Sequence, residues 1–303
     1  MRAWAGGRPI DEYGATVSSA ADWSGASSKE IWDAVSGELG LEPSRSDPVH
    51  VLVASAEDRP RASWICPHVW NEEIPAGSLI RLAPGICALS PEFCYLQMAG
   101  RRSVPEVAAI GMELVGRYGR DRTARGFTDR DPLTSTERLA TYLGRSKGLY
   151  GACIARRALP WVLPNSRSPM ETALALVLTL PPCYGGYGLP RPQLNVRVGR
   201  NAEQVMLTQS PWYELDLCWQ KRKTSAEYDS YDNHLSIGSL DHDSMKYNSL
   251  ASMGWKTFSV TRAQMSGVSL DVLANQIGRA LGVRPRRPSP SRRDWLVSVL
   301  TKG

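Results

Sequence analysis

The strongest constraint on the fold is a succession of predicted elements between residues 168 and 282. The apolar segment SPMETALALVLTL (168–180) has helical character and places Pro169 in the first helical turn, where proline is best tolerated. Three predicted strands, a helix, a fourth strand and a last helix follow, at 194–199, 211–219, 224–230, 241–253, 255–260 and 270–282. This α-β-β-β-α-β-α order predicts an α/β fold in which helices flank a mixed sheet.

The upstream half has a different texture. Short strand-like runs separated by Pro and Gly indicate a small β module, and three helical patterns then follow. Ser103 and Glu106 have capping-box spacing at one helix start, and Thr134 and Glu137 at another. The predicted segments are a loosely ordered start (1–45, with a helix over 29–39), an α+β module (46–125), a helical connector (126–165), the α/β unit (166–283) and a basic tail (284–303).

The chain carries a formal net charge of +6 and has a pI near 9.0, which is compatible with a polyanionic partner. Much of the excess lies near the C-terminus, in Arg284, Arg286, Arg287, Arg292 and Arg293. These arginines predict either a solvated, partly disordered tail or a non-specific contact with DNA phosphates.

Hydropathy and cysteine usage argue against a membrane or secreted protein. There is no unbroken apolar run of about 18 residues, and the first residues lack the apolar core of a secretory signal. The six cysteines form no CxxC pair, so we expect free thiols, mostly packed as small apolar groups, in the reducing cytoplasm. His50, His68 and His242 have no defensible partner spacing, and CPH (66–68) lacks the second ligand pair of a zinc site.

Two carboxylates lie in half-buried strand patterns. Asp216 lies within ELDLCW and Glu227 within SAEYDS, and the QKRK turn (220–223) between them predicts a hairpin that brings both to the same end of the sheet. Such carboxylates cost free energy unless they are paired or bind a metal, and a hard cation such as Mg²⁺ relieves their repulsion. The alternative is that both face solvent or pair with the basic turn.

Further acidic residues extend this group. Asp229 lies two residues after Glu227 and therefore on the same strand face. Glu171 has two interpretations, because SPME (168–171) is itself a capping box, while a Glu in the first helical turn could also complete a metal site.

His234 and Lys246 follow this acidic strand. A His in the polar loop SYDNHLS is a candidate base or phosphate contact, although a lone His is more often structural. Lys246 lies on the next predicted helix.

The order of these motifs resembles bacterial proteins that carry a domain related to very-short-patch-repair endonucleases. This DUF559 type belongs to the PD-(D/E)XK, restriction-endonuclease-like superfamily. The resemblance covers about 95 residues and rests on SPME, ELDLCW, SAEYDS and GWKTFSV. The matching positions are Glu171, Asp216, Glu227, Asp229, His234, Asp241 or Asp243, Lys246, and residues 254–260.

The resemblance implies a restriction-endonuclease-like fold over 166–283 that hydrolyses DNA phosphodiesters with Mg²⁺ or Mn²⁺. It implies Asp216 and Glu227 as metal ligands, with Asp229 beside them. Asp229 stands where the wider superfamily has a lysine, and Ser230 replaces the usual glycine; Lys246 is our hypothesis for the missing positive charge. The run LIRLAPGICALSPE (79–92) also resembles the N-terminal part of AbiEi-like antitoxins, which would allow a protein partner for that module.

Two functions follow as expectations. The first is a metal-dependent DNA endonuclease or nicking enzyme that uses Glu171, Asp216, Glu227, Asp229, His234 and Lys246. The second is a catalytically inactive, nuclease-derived protein that binds DNA or acts as an antitoxin-like regulator. The acidic cluster favours the enzyme, because a protein that only grips phosphate gains nothing from central carboxylates. The missing lysine of the motif favours the binding protein.

Overall fold

The computed structural model describes residues 26–83, 86–121, 125–200, 211–229 and 237–301, with the backbone alone for 237–243. The helices are α1 (Ser28–Trp32), α2 (Pro91–Ala99), α3 (Val104–Leu114), α4 (Thr136–Arg145), α5 (Ala152–Ala158), α6 (Pro169–Thr179), α7 (Ile237–Ser252), α8 (Gly267–Leu281) and α9 (Pro290–Thr301). The strands are β1 (Val49–Val53), β2 (Ile65–Val69), β3 (Leu79–Ala83), β4 (Ile86–Leu89), β5 (Tyr118–Arg120), β6 (Phe127–Asp129), β7 (Gln193–Gly199), β8 (Trp212–Trp219), β9 (Thr224–Asp229) and β10 (Lys256–Thr261).

The predicted mixed sheet is confirmed. Its four strands lie in the order β10-β9-β8-β7, in which β7, β8 and β9 are antiparallel neighbours and β10 pairs in parallel with β9. The tight turn after β8 makes the antiparallel pair, whereas α7 provides the long crossover that a parallel strand requires. The α/β class and the element order predicted for this half of the chain are therefore correct.

Helix α6 is almost wholly buried beside this sheet. Ser168 is its N-cap and accepts a hydrogen bond from the Glu171 amide at 3.1 Å, and Pro169 occupies the first turn as predicted. The helix is apolar around its whole circumference, as expected for a central helix. Its core cluster includes Leu217 and Ala226 of the sheet.

The upstream half forms three small two-stranded sheets and a group of packed helices. β1 and β2 are parallel, whereas β3–β4 and β5–β6 are antiparallel. The predicted helix over 29–39 is present, with Ser27 as its cap and a π-helical second half, Asp33–Glu38. Helix α3 begins with the expected Ser103–Glu106 capping box and ends at Leu114, and residues 118–120 form β5.

The cap predicted for α4 is wrong by one residue. Ser135, rather than Thr134, is the N-cap and accepts from the Arg138 amide at 3.3 Å. The Thr134 hydroxyl donates instead to the buried carboxylate of Glu92. A buried carboxylate requires such a hydrogen-bond donor, so Thr134 serves to satisfy Glu92 rather than to cap the helix.

The prediction of a solvated, partly disordered C-terminal tail is also wrong. Residues Pro290–Thr301 form α9, which buries Leu296 and Leu300 against the main core. Arg293 is buried as well, at 6% exposure, and its Nη1 lies 2.8 Å from Oδ2 of Asp271 on α8. The other arginines of this region are exposed, so the basic surface is carried by a packed helix and the segment before it.

One main core cluster joins the segments predicted as separate units, since it runs from Trp70 through α2–α6 and the sheet to Leu300. No helix in the described ranges has the length and apolarity needed to cross a membrane. All six cysteines are free, as predicted, but only Cys218 is buried, and Cys87, Cys153 and Cys183 are exposed. The expectation that the thiols are mostly packed is therefore wrong.

Candidate active site

Asp216 and Glu227 lie close together on the two central strands. β8 and β9 pair Leu217 with Ala226, and Asp216 and Glu227 are the next residues of the two strands. The backbone amide of Tyr228 donates to Oδ2 of Asp216 at 2.8 Å. The structure thus brings together the two carboxylates that the hairpin pattern predicted as neighbours.

The sheet is irregular at this position. Leu217 packs in the main core, whereas Leu215, two residues earlier, belongs to a second cluster with Leu250 and Trp255. Two residues of one regular strand share a face, so the alternation is interrupted at Asp216. The neighbouring strand is irregular at the same level, where Asn195 has a φ of 51°. This distortion sets the position of the Asp216 carboxylate.

Glu171 reaches this region from the first turn of α6. Its Oε2 accepts from the Arg167 amide at 2.9 Å and from Nδ2 of Asn195 at 2.7 Å. It does not complete a capping box, because its carboxylate bonds to Arg167 rather than to the amide of Ser168. The prediction of a reciprocal capping box at Glu171 is therefore wrong. Glu171 is a buried carboxylate that is held by hydrogen bonds from Arg167 and Asn195.

Glu227 is 3% exposed. Nζ of Lys246, on α7, lies 2.7 Å from its Oε2. Its other oxygen, Oε1, is buried and has no hydrogen-bond partner within the part of the chain that the structure describes. A buried carboxylate oxygen in that state is costly unless a proton or a cation occupies it.

Burial and the charge of Asp216 raise the pKa of both Glu171 and Glu227. Burial, followed by the charge of Asp216, raises the pKa of Glu171 to about 7. The same two causes raise the pKa of Glu227 to about 7, against the opposing charge of Lys246. Burial also raises the pKa of Asp216. At neutral pH the group therefore does not carry three full negative charges without a compensating proton or cation.

The remaining predicted site residues are at the margin of this group or outside the described residues. Oδ2 of Asp229 accepts from the hydroxyls of Ser259 and Tyr247, and its charge contributes to the raised pKa of Asp216. His234 lies outside the described residues, and so do the side chains of Asp241 and Asp243.

The acidic residues whose side chains the structure describes do not form a compact three-ligand cluster. Among the described side chains, the group of three potential ligands whose atoms all lie within 4.8 Å of one another is His50, Cys66 and His68, in the N-terminal module. A Mg²⁺ ion at the acidic site would thus contact one or two carboxylates and retain several water molecules, which is its usual mode of binding. Asp216 and Glu227 fit that role by donor type and by the unpartnered oxygen.

Sequence reasoning missed Asn195 and the His50–Cys66–His68 group. Asn is depleted in strands, so its place within LNVRVG was a usable signal. CPH was judged incomplete because the third ligand comes from a neighbouring strand, and a parallel pairing has no local sequence signal.

No family model, curated protein or solved structure matches this chain.

Proposed function

We propose that this chain is a metal-dependent DNA endonuclease or nicking enzyme that acts in the cytoplasm. The observation that carries the proposal is the buried group of Glu171, Asp216 and Glu227, in which one Glu227 oxygen has no hydrogen-bond partner among the described residues. Folded proteins retain such unfavourable groups mainly at functional sites. The motif order that resembles DUF559-type nucleases supports the choice of substrate.

Charge balance supports a cation at this site. Among the described residues, Lys246 supplies one positive charge to three carboxyl groups, and the hydrogen bonds to Asp216 and Glu171 come from uncharged amides. A divalent ion held by Asp216 and Glu227 would balance the group. It would supply a polarised phosphate oxygen and a bound water of lowered pKa.

The chain's own residues then have separate roles. Asp216 and Glu227 hold the ion on the two strands, and Glu171 is fixed by Asn195 where it can orient a water or a further ligand. Lys246, in contact with Glu227, provides a positive charge near the scissile phosphate and replaces the lysine of the superfamily motif. The basic balance of the chain favours approach of the DNA backbone.

The test is cleavage of supercoiled plasmid DNA by the full chain with Mg²⁺, Mn²⁺ or EDTA. We expect metal-dependent nicking or linearisation that Asp216→Asn abolishes and Glu57→Gln, an exposed carboxylate control, retains. Thermal unfolding gives a second readout. Mg²⁺ at about 100 times its dissociation constant should stabilise the wild type by about 2.7 kcal/mol and leave Asp216→Asn unchanged. Cleavage that survives EDTA or Asp216→Asn would contradict the proposal.

The alternative is a nuclease-derived protein that binds DNA, or a partner, without cutting it. Two observations favour it: Lys246 already neutralises part of Glu227, and the acidic residues with described side chains do not form a compact three-ligand cluster. It predicts equal DNA retention by the wild type and Asp216→Asn in a gel-shift assay, no cleavage with either metal, and no metal-dependent shift in Tm.

A further inference from the structure

Three potential metal ligands meet on one face of the β1–β2 pair. His50 on β1 lies opposite Cys66 on β2, and His68 follows two residues later. Alternate residues of a strand project to the same side, so Cys66 and His68 share the face toward which His50 projects. The contact joins residues 18 positions apart in the chain.

Their atoms are close enough to share one ion. Nδ1 of His50 lies 2.7 Å from Nε2 of His68, and the two rings stack with centroids 5.0 Å apart and planes 20° apart. The two ring nitrogens and the Cys66 sulfur all lie within 4.8 Å of one another. In a tetrahedral zinc site with bonds of about 2.0–2.3 Å the donor atoms lie about 3.3–3.8 Å apart, so the two nitrogens need to separate by about 0.6 Å to share an ion.

The donor set selects the class of metal. Imidazole nitrogen and thiolate sulfur are ligands of Zn²⁺ and related transition metals, whereas Mg²⁺ and Ca²⁺ prefer oxygen. His50 is exposed and Cys66 and His68 are half-buried, so an ion can enter from solvent. Three protein ligands leave a fourth position for water or for an added group.

We propose that His50, Cys66 and His68 bind a Zn²⁺-type divalent ion that clamps β1 to β2. Binding releases the thiol proton of Cys66. The hydrogen bond between the ring nitrogens is broken, and the histidine that donated it changes tautomer, so that its proton moves to its other ring nitrogen and both facing nitrogens can bind the ion. Two-stranded sheets are weak by themselves, and an ion bridging the strands fixes their pairing. The site is separate from the acidic group and independent of the nuclease proposal.

The test uses Co²⁺ as a spectroscopic probe on the full chain, stripped of metal and kept reduced. The wild type should develop a thiolate-to-cobalt charge-transfer band and intense tetrahedral d–d bands, and Zn²⁺ should displace both. Cys66→Ser should lose the charge-transfer band, while Cys87→Ser, an exposed free thiol of the same module, should keep it. His50→Gln and His68→Gln should each weaken binding by more than about 100-fold, the upper end for loss of an outer-shell partner.

Thermal unfolding distinguishes loss of the site from loss of the fold. Without metal, Cys66→Ser should unfold within a few degrees of the wild type, and Zn²⁺ should raise the Tm of the wild type alone. Asp216→Asn should bind Co²⁺ as the wild type does, so failure of the nuclease proposal leaves this one intact. A wild type without the charge-transfer band, or a band that survives in Cys66→Ser, would show that the contact is only a histidine pair beside a thiol.

Discussion

Nζ of Lys246 lies 2.7 Å from Oε2 of Glu227, while Oε1 of the same carboxylate is buried with no hydrogen-bond partner among the described residues. The lysine is on α7 and the glutamate is on β9, so a helix provides the positive charge beside this strand carboxylate. The ammonium group therefore neutralises Oε2 of Glu227 and leaves Oε1 available to a cation.

Lys246→Met should remove the positive charge that neutralises one oxygen of Glu227. Without the ammonium group, the pKa of Glu227 rises further, because the charge that lowers it is removed, and the carboxyl group becomes a poorer metal ligand at neutral pH. We expect plasmid cleavage to fall by about 10²–10³-fold, the range for loss of one group that stabilises charge in the transition state, and Lys246→Arg to retain more activity. Lys221→Met, on the exposed turn after β8, is the matched control. Equal cleavage by Lys246→Met and the wild type would remove Lys246 from the site.

Glu171 should make the protein less stable as pH rises. Its folded pKa is about 7, above the usual value of 4.5, so the protonated form favours folding. This contribution is full below the unfolded pKa and is lost as pH rises through about 7. We therefore expect Glu171→Gln to exceed the wild type in free energy of unfolding at about pH 8, by on the order of 2 kcal/mol, and to show a flatter pH profile. Urea unfolding at several pH values measures this. If the wild type instead gained stability relative to Glu171→Gln as the pH rose through about 7, the prediction would be wrong.

Asn195 should tune Glu171 through its side-chain amide. Nδ2 donates to the Glu171 carboxylate at 2.7 Å, and this bond lowers the pKa of Glu171. Asn195→Gly removes the amide and suits the φ of 51°, whereas Asn195→Ala removes it and adds backbone strain. Both variants should shift the acidic limb of the pH–cleavage profile to higher pH, and only Asn195→Ala should also lower the Tm appreciably. If the acidic limb of the pH–cleavage profile did not shift in Asn195→Gly, Asn195 would serve only to allow the backbone conformation at this position.

The elements that the sequence predicted well are those with a local signal. The apolar helix after Ser168, the strands around Asp216 and Glu227 and the hairpin between them depend on periodicity and turn chemistry within a few residues. Burial of an acid among apolar neighbours was also visible locally, so the paired carboxylates could be anticipated. Their coupling to Glu171 could not, since it depends on where α6 lies relative to the sheet.

The failures share a long-range cause. The pairing of His50 with Cys66 and His68 requires the parallel register of β1 and β2, which no turn specifies. The C-terminal segment was misjudged because its arginines outweigh the two leucines that anchor α9, and because Arg293 is buried by an ion pair with a distant residue. The composition of a segment gives its charge, but whether a charged side chain such as Arg293 is buried depends on a partner elsewhere in the chain.

This buried ion pair gives the last prediction. Two arginines contact the same oxygen, Oδ2 of Asp271: Arg293 at 2.8 Å with its side chain 7% exposed, and Arg287 at 2.6 Å with its side chain 64% exposed. Tyr187 donates to the other oxygen at 2.6 Å. Burial alone would raise the pKa of Asp271, but these hydrogen bonds and charges hold it below its usual value.

Arg293→Met should therefore cost about 3 kcal/mol, the lower end for breaking a buried pair, because Arg287 still screens the carboxylate. Arg287→Met should cost less than about 1 kcal/mol, as for exposed ion pairs. The contribution of Asp271 is present above its unfolded pKa and is lost as pH falls through the folded value, so the two variants should converge in acid. Urea unfolding near neutral pH and in acid measures both effects. Equal losses from the two substitutions at neutral pH would mean that α9 is held by its leucines rather than by this ion pair.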